Sequence, residues 1–196
     1  MPKSSKTKSK KDKVNLNEIR RDKTLGLNLD ENETKILNSI KSRIKNFTPA
    51  NSNYRPSEHS SKVGAPPKKA AIAIFRSPDF ITLLSTWSKG RRNDDSNLLK
   101  VIIAEKWVEQ DAWACLIETV IWRQYNRVDE MMTDEKRIGT LTKFMQLGSL
   151  YIHTAKDRDG RPVIVHRKKP GKETDKIEEV MTAIYMLEKA RMSMPR

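Results

Sequence analysis

The chain is short of the residues on which most catalytic and covalent frameworks depend. Cys115 is the one cysteine in 196 residues. Neither an intramolecular disulfide nor a thiolate-based metal cluster can form, and a reducing compartment suits the chain. The three histidines, His59, His153 and His166, are scattered. His153 and His166 fall where they could face each other across a hairpin, yet two ligands without a third acid or thiol make a poor zinc site. There is no Gly-rich phosphate loop of the P-loop or dinucleotide type. The D-R-D-G stretch at 157–160 lacks the length and terminal Glu of a calcium loop. No apolar run approaches the roughly 18 residues of a membrane span. The lysine-rich start is followed by no h-region or cleavage site, so no secretory signal is read. These absences point away from an enzyme and leave no catalytic residue, metal or cofactor to name.

Positive charge is what the chain has in excess. Lys and Arg number 39 against 25 acids, a formal net charge of +14. Such a balance attracts nucleic acid, acidic lipid or acidic protein without choosing among them. With 36% hydrophobic and 33% charged residues, part of the chain is expected to stay unpacked. Residues 1–28 read as a basic disordered tail carrying Lys3, Lys6, Lys8, Lys10, Lys11 and Lys13. Near an anionic membrane each lysine contributes about 1 kcal/mol. The same tail would also serve a phosphate backbone, or solubility and targeting alone.

Periodicity organises the rest. Residues 29–47 read as a helix, with Asp30, Glu31 and Glu33 in the first turn and Lys41, Arg43 and Lys45 in the last. Residues 48–74, rich in Pro, Ser, Asn and Gly, read as a linker. All four tryptophans lie in the next sixty or so residues, within three helices expected over 75–132. The first has a Ser77 cap, Pro78 at its start and Gly90 near its end. The second carries Leu98, Leu99, Ile102 and Ile103, and the third Trp113, Leu116, Ile117, Val120 and Ile121. Residues 126–148 read as loop with a helical turn. Leu150, His153, Val163 and His166 bound two short strands around an Asp159-Gly160 turn, with Pro162 where a strand tolerates a missing donor. A last amphipathic helix begins at Glu173 and ends at Met194, with Ile177, Val180, Met181, Ile184, Leu187 and Met192 near one face.

Three of these stretches, in their order and spacing, resemble the CRAL-TRIO lipid-binding family, as in fungal phosphatidylinositol transfer proteins. Leu98, Leu99, Lys100, Ala104, Lys106 and Trp107 match an acid-led helix. Trp122, Arg123, Val128 and Asp129 match the family's next W-R and V-D. Tyr151, His153, Asp157, Asp159, Gly160, Arg161, Pro162 and Val163 match the turn that opens the family's lipid domain. The resemblance covers roughly 75–193. It implies an α/β or α+β fold: an N-terminal helical bundle at 75–132 leading into a truncated CRAL-TRIO α/β domain begun at 144–196. It further implies binding and transfer of a phospholipid of the phosphatidylinositol class, with Lys100, Lys106, Tyr151 and Arg161 as lipid-binding residues. The family's headgroup-side arginines fall on Ile103 and Glu105 here, which leaves the lipid's identity open. The chain is read as a fragment or truncated product. Its expected place is the cytoplasm, peripheral on endoplasmic reticulum, endosome or lipid droplet.

Two other classes remain in play. One is an interaction module docking on a protein or membrane through the helix from Glu173 to Met194. The other is a basic nucleic-acid binder, although no RNA-module pattern is present and no specific nucleic acid is expected.

Overall fold

The computed structural model describes residues 28–49, 64–89, 94–146, 150–167 and 176–194, together with Lys23, Gly26, Tyr54 and Gly148. Among these, seven helices accompany one two-stranded antiparallel sheet, an α+β arrangement. The helices are α1 (Glu31–Lys45), α2 (Lys68–Phe75), α3 (Phe80–Ser88), α4 (Ser96–Ala104), α5 (Glu109–Tyr125), α6 (Glu135–Gln146) and α7 (Lys176–Ser193). The strands are β1 (Leu150–Lys156) and β2 (Pro162–His166). No helix among the described residues is long and apolar enough to cross a membrane.

The chain forms two compact units, Met1–Asn46 with Ser85–Leu116, and Phe47–Leu84 with Ile117–Arg196. The sequence reads α1 as separated by a linker from a helical domain over 75–132. In the first unit the partners of α1 lie far from it in the chain. Asp30 is its N-cap: Asp30 Oδ1 accepts from the Glu33 amide at 2.8 Å while Glu33 Oε2 accepts from the Asp30 amide at 3.1 Å. This reciprocal capping box satisfies two otherwise orphaned donors. Leu37, Ile40 and Ile44 recur on the buried side, as do Leu98, Leu99 and Ile102 of α4. Ser39 donates to Glu109 at 2.8 Å, and the Arg43 guanidinium lies 4.5 Å from the Trp113 ring. Lys23, expected in a free tail, donates instead to buried Glu33 and sits 5.9 Å over Trp107.

The second unit departs from expectation in two elements. Helix α2 occupies the end of the expected linker, started by Pro67 and carrying Ala71 and Phe75 inward at i, i+4. Phe75 joins an aromatic cluster, 5.6 Å from Phe47, 5.2 Å from Phe80 and 4.6 Å from Tyr54. Burial, then the charge on Glu118, pushes the Tyr54 phenol up to about 12. Helix α6 stands where a loop was expected, because Leu141 is buried and Ile138 and Met145 flank it at helical spacing. Its side chains meet Met131, Met181, Tyr185 and Met186 in the core onto which the hairpin also packs. Helix α3 begins at Phe80, not at Pro78, after a turn in which Phe80 N–H donates to the Ser77 carbonyl at 3.0 Å. Gly90 lies outside the described residues.

Arg123 ties α5 to α7. Its Nη1 donates to Glu188 at 3.0 Å and its Nη2 to Asp129, with 14% of the Arg123 side chain and 15% of the Glu188 side chain exposed. Burial works against the charged guanidinium, but Asp129 and Glu188 outweigh it and hold its pKa above the usual value. Its Nε is buried without a hydrogen-bond partner. Removing Arg123 leaves Glu188 paired only with Arg191, at 2.8 Å. Arg123→Met is therefore expected to cost about 2 kcal/mol, below the loss for a wholly orphaned buried charge. Asp129→Asn, at a carboxylate 60% exposed, should cost less than about 1 kcal/mol. Urea unfolding checks both; equal losses would contradict the assignment.

Candidate functional site

The residues expected to bind lipid divide between the two units. Lys100 and Lys106 belong to the first, Tyr151 and Arg161 to the second. Lys3, Lys6, Lys8, Lys10, Lys11 and Lys13 lie outside the described residues, as does His59.

Lys100 is exposed on α4. Lys106 does not share that helix, because α4 ends at Ala104 and Glu105 caps it. Lys106 and Trp107 come next, in the left-handed region at φ 53° and 64°. Left-handed backbone costs an L-residue roughly 1–2 kcal/mol. Here the Trp107 amide donates to Ile102 O at 2.9 Å, closing the helix end. Helical periodicity could not reveal this break, because no glycine marks it. Glu105 and Ile103 are both half-buried.

Arg161 is a turn lock rather than a free cation. Asp157 Oδ1 accepts from the Asp159 amide at 2.9 Å and the Arg161 amide at 2.8 Å, while Asp157 Oδ2 accepts from Arg161 Nε at 2.6 Å. Arg161 Nη2 also meets Asp159 at 2.9 Å. Gly160 takes φ +75°, which a glycine adopts without a Cβ penalty. The Arg161 amide first, with the Arg161 guanidinium and the Asp159 amide, holds the Asp157 carboxyl below its usual pKa. Tyr151 is half-buried against the core of the second unit, with Arg167 5.4 Å from its ring centroid.

The two strand histidines do not face each other. Leu150 pairs with His166, Tyr151 with Val165 and Ile152 with Ile164, and the register then shifts before Lys156 pairs with Pro162. The extra residues in β1 form a bulge, and His153 Nδ1 accepts from the Ala155 amide at 2.9 Å. His166 lies 3.8 Å from Glu179. No group of three or more His, Cys, Asp or Glu side chains is placed to hold a metal among the described residues.

What sequence reasoning missed is the network around Arg123 and the breadth of the apolar surface on α7. Met181, Tyr185, Met186 and Ala190 are buried, whereas Ile177, Leu187 and Met192, read as lying near one face with Met181, are 53%, 58% and 52% exposed. Tyr185, Met186 and Ala190 carry the true inward side. A helix apolar on two sides offers no single periodic face to read. No family model, no curated protein and no solved structure matches the chain.

Both turns can be tested locally. Lys106→Gly should stabilise the chain by about 1 kcal/mol through relief of the left-handed backbone, read as a higher urea midpoint; a loss would contradict the strain. Asp157 has a depressed folded pKa, so its contribution is present above the ordinary value of 3.8 and is lost as pH falls below it. The NMR shifts of the Asp159 and Arg161 amides should titrate with a midpoint below that value. A midpoint at or above 3.8 would refute the turn lock.

Proposed function

We propose that this chain binds a phospholipid, of the phosphatidylinositol class, and takes part in its transfer between membranes, as a protein of the CRAL-TRIO type. One observation carries the reading. The matched pair Arg123 and Asp129 forms an ion pair, and Val128 between them is buried at 1% exposed. At this point the matched residues form a packed corner. The matched D-R-D-G-R-P turn likewise lies at a hairpin turn, ahead of the helix in matching order.

The chemistry required is non-covalent. Acyl chains leave a bilayer only for a dry surface, at about 0.8 kcal/mol for each CH₂, and the headgroup needs polar partners. In the second unit Tyr151, Ile152, Val180 and Ile184 are half-buried against the core. With Arg161 committed to Asp157 and Asp159, Lys100 and Lys106 are the remaining described cations of the expected set. Glu105 beside them disfavours a highly phosphorylated headgroup.

The test is transfer of labelled phosphatidylinositol and phosphatidylcholine between liposomes, with native mass spectrometry for co-purified lipid. This chain and any longer product of the same gene are both assayed. The reading expects bound phospholipid and transfer from at least the longer product. Neither lipid nor transfer from either would refute it.

A further inference from the structure

The backbone ahead of α1 is fastened to the first unit at Lys23 and Gly26. Lys23 donates to Glu33 Oε1 and stands 5.9 Å over the Trp107 ring. Gly26 takes φ +77°, and its amide donates to the Lys23 carbonyl at 3.0 Å. A Cβ at Gly26 would stand 3.6 Å from Leu99 Cδ1, so this turn runs close against α4. The Lys23 side chain is 28% exposed and that of Glu33 8%, against 47% and 36% for the open Lys41–Asp95 pair. A carboxylate withdrawn from water depends on its cation far more than an exposed one does.

The ring that Lys23 covers belongs to the strained corner between α4 and α5. Lys106 and Trp107 both hold left-handed backbone there without a glycine. Such conformations persist where surrounding contacts over-determine them. The Trp107 amide bond to Ile102 O is one such contact, and Lys23 over the indole is another, reaching in from outside the corner.

We propose that Lys23 is a latch, which joins the backbone ahead of α1 and the Lys106–Trp107 corner into one two-state element. With Lys23 on Glu33 and Trp107, the turn at Gly26 is fastened and the corner is held left-handed. With the ammonium withdrawn, the turn lifts away and the corner relaxes, which moves Lys106. Linkage makes the coupling reciprocal, so a ligand that engages Lys23 and one that engages Lys106 act on the same equilibrium. The latch lies within the first unit and needs no lipid, so it stands or falls separately from transfer.

The test is amide hydrogen exchange of the full chain, read by NMR. Lys23→Met with Glu33→Gln removes the latch without leaving a buried carboxylate unpaired, and a glutamine there can keep the capping box. The Gly26 and Trp107 amides should then exchange faster by roughly tenfold or more, while the Leu37 amide within α1 keeps its rate. Lys23→Arg preserves both charge and stacking and should leave the two amides slow. Lys41→Met breaks the exposed pair with Asp95 and should also leave them slow. Acceleration at only one of the two amides would show that turn and corner are uncoupled. Equal acceleration at Gly26, Trp107 and Leu37 would show an ordinary stabilising pair, and no acceleration would show no latch; each of these overturns the proposal. A second readout is the urea midpoint. Lys106→Gly should raise it less in the latch-free background than in the parent chain, and the same gain in both would overturn the coupling. Lys23→Gln alone carries the test should the double variant fail to fold.

Discussion

The Arg123–Glu188 pair is the interaction on which the second unit depends. It sets α7 against α5 with a directional, charge-assisted contact where the surrounding core offers mainly methionines. Methionine fills irregular space but specifies rotation poorly. Met181 and Met186 on α7, with Met131 beyond them, would tolerate more than one rotation of the helix. A fixed guanidinium fork does not. The pair thus chooses which apolar side of α7 faces the core and which faces outward.

The same residue organises the corner after α5. Asp129 holds the other arm of Arg123 while Val128 is buried, and Asn126 donates to the Trp122 and Gly64 carbonyls at 2.9 and 2.8 Å. From this corner the chain runs through α6 into a hairpin whose turn is closed by Asp157 and whose bulge is held by His153. Acids and a histidine that could suggest chemistry are spent on backbone donors. What α7 leaves exposed is apolar at Ile177 and Leu187, 53% and 58% exposed.

Much of this was legible in the sequence where one signal dominates. The acids before Ile36 and Leu37 mark the start of α1, and the Asp159-Gly160 pair marks the hairpin turn. Where contacts distant in sequence decide the outcome, periodicity was silent. Helix α6 has one buried side chain of its own, Leu141, and gains its place by packing beside Met181. Lys106 and Trp107 turn left-handed with no glycine to announce it. Arg161 reads as a free cation until Asp157 is seen to hold it. The inward side of α7 could not be assigned because the helix is apolar on two sides, and Glu188, which settles the choice, reads in the sequence as one more surface acid.

The central claim is that Arg123 fixes which side of α7 faces the core. Spin labels attached at Leu187→Cys and, separately, at buried Ala190→Cys, each with Cys115→Ser and each with and without Arg123→Met, test it by their accessibility to a polar relaxation agent. With Arg123 present the label at 187 should be reached by the polar agent and the label at 190 should be shielded, and Arg123→Met should narrow that difference. Equal behaviour of the two labels, or no change on replacing Arg123, would contradict the account.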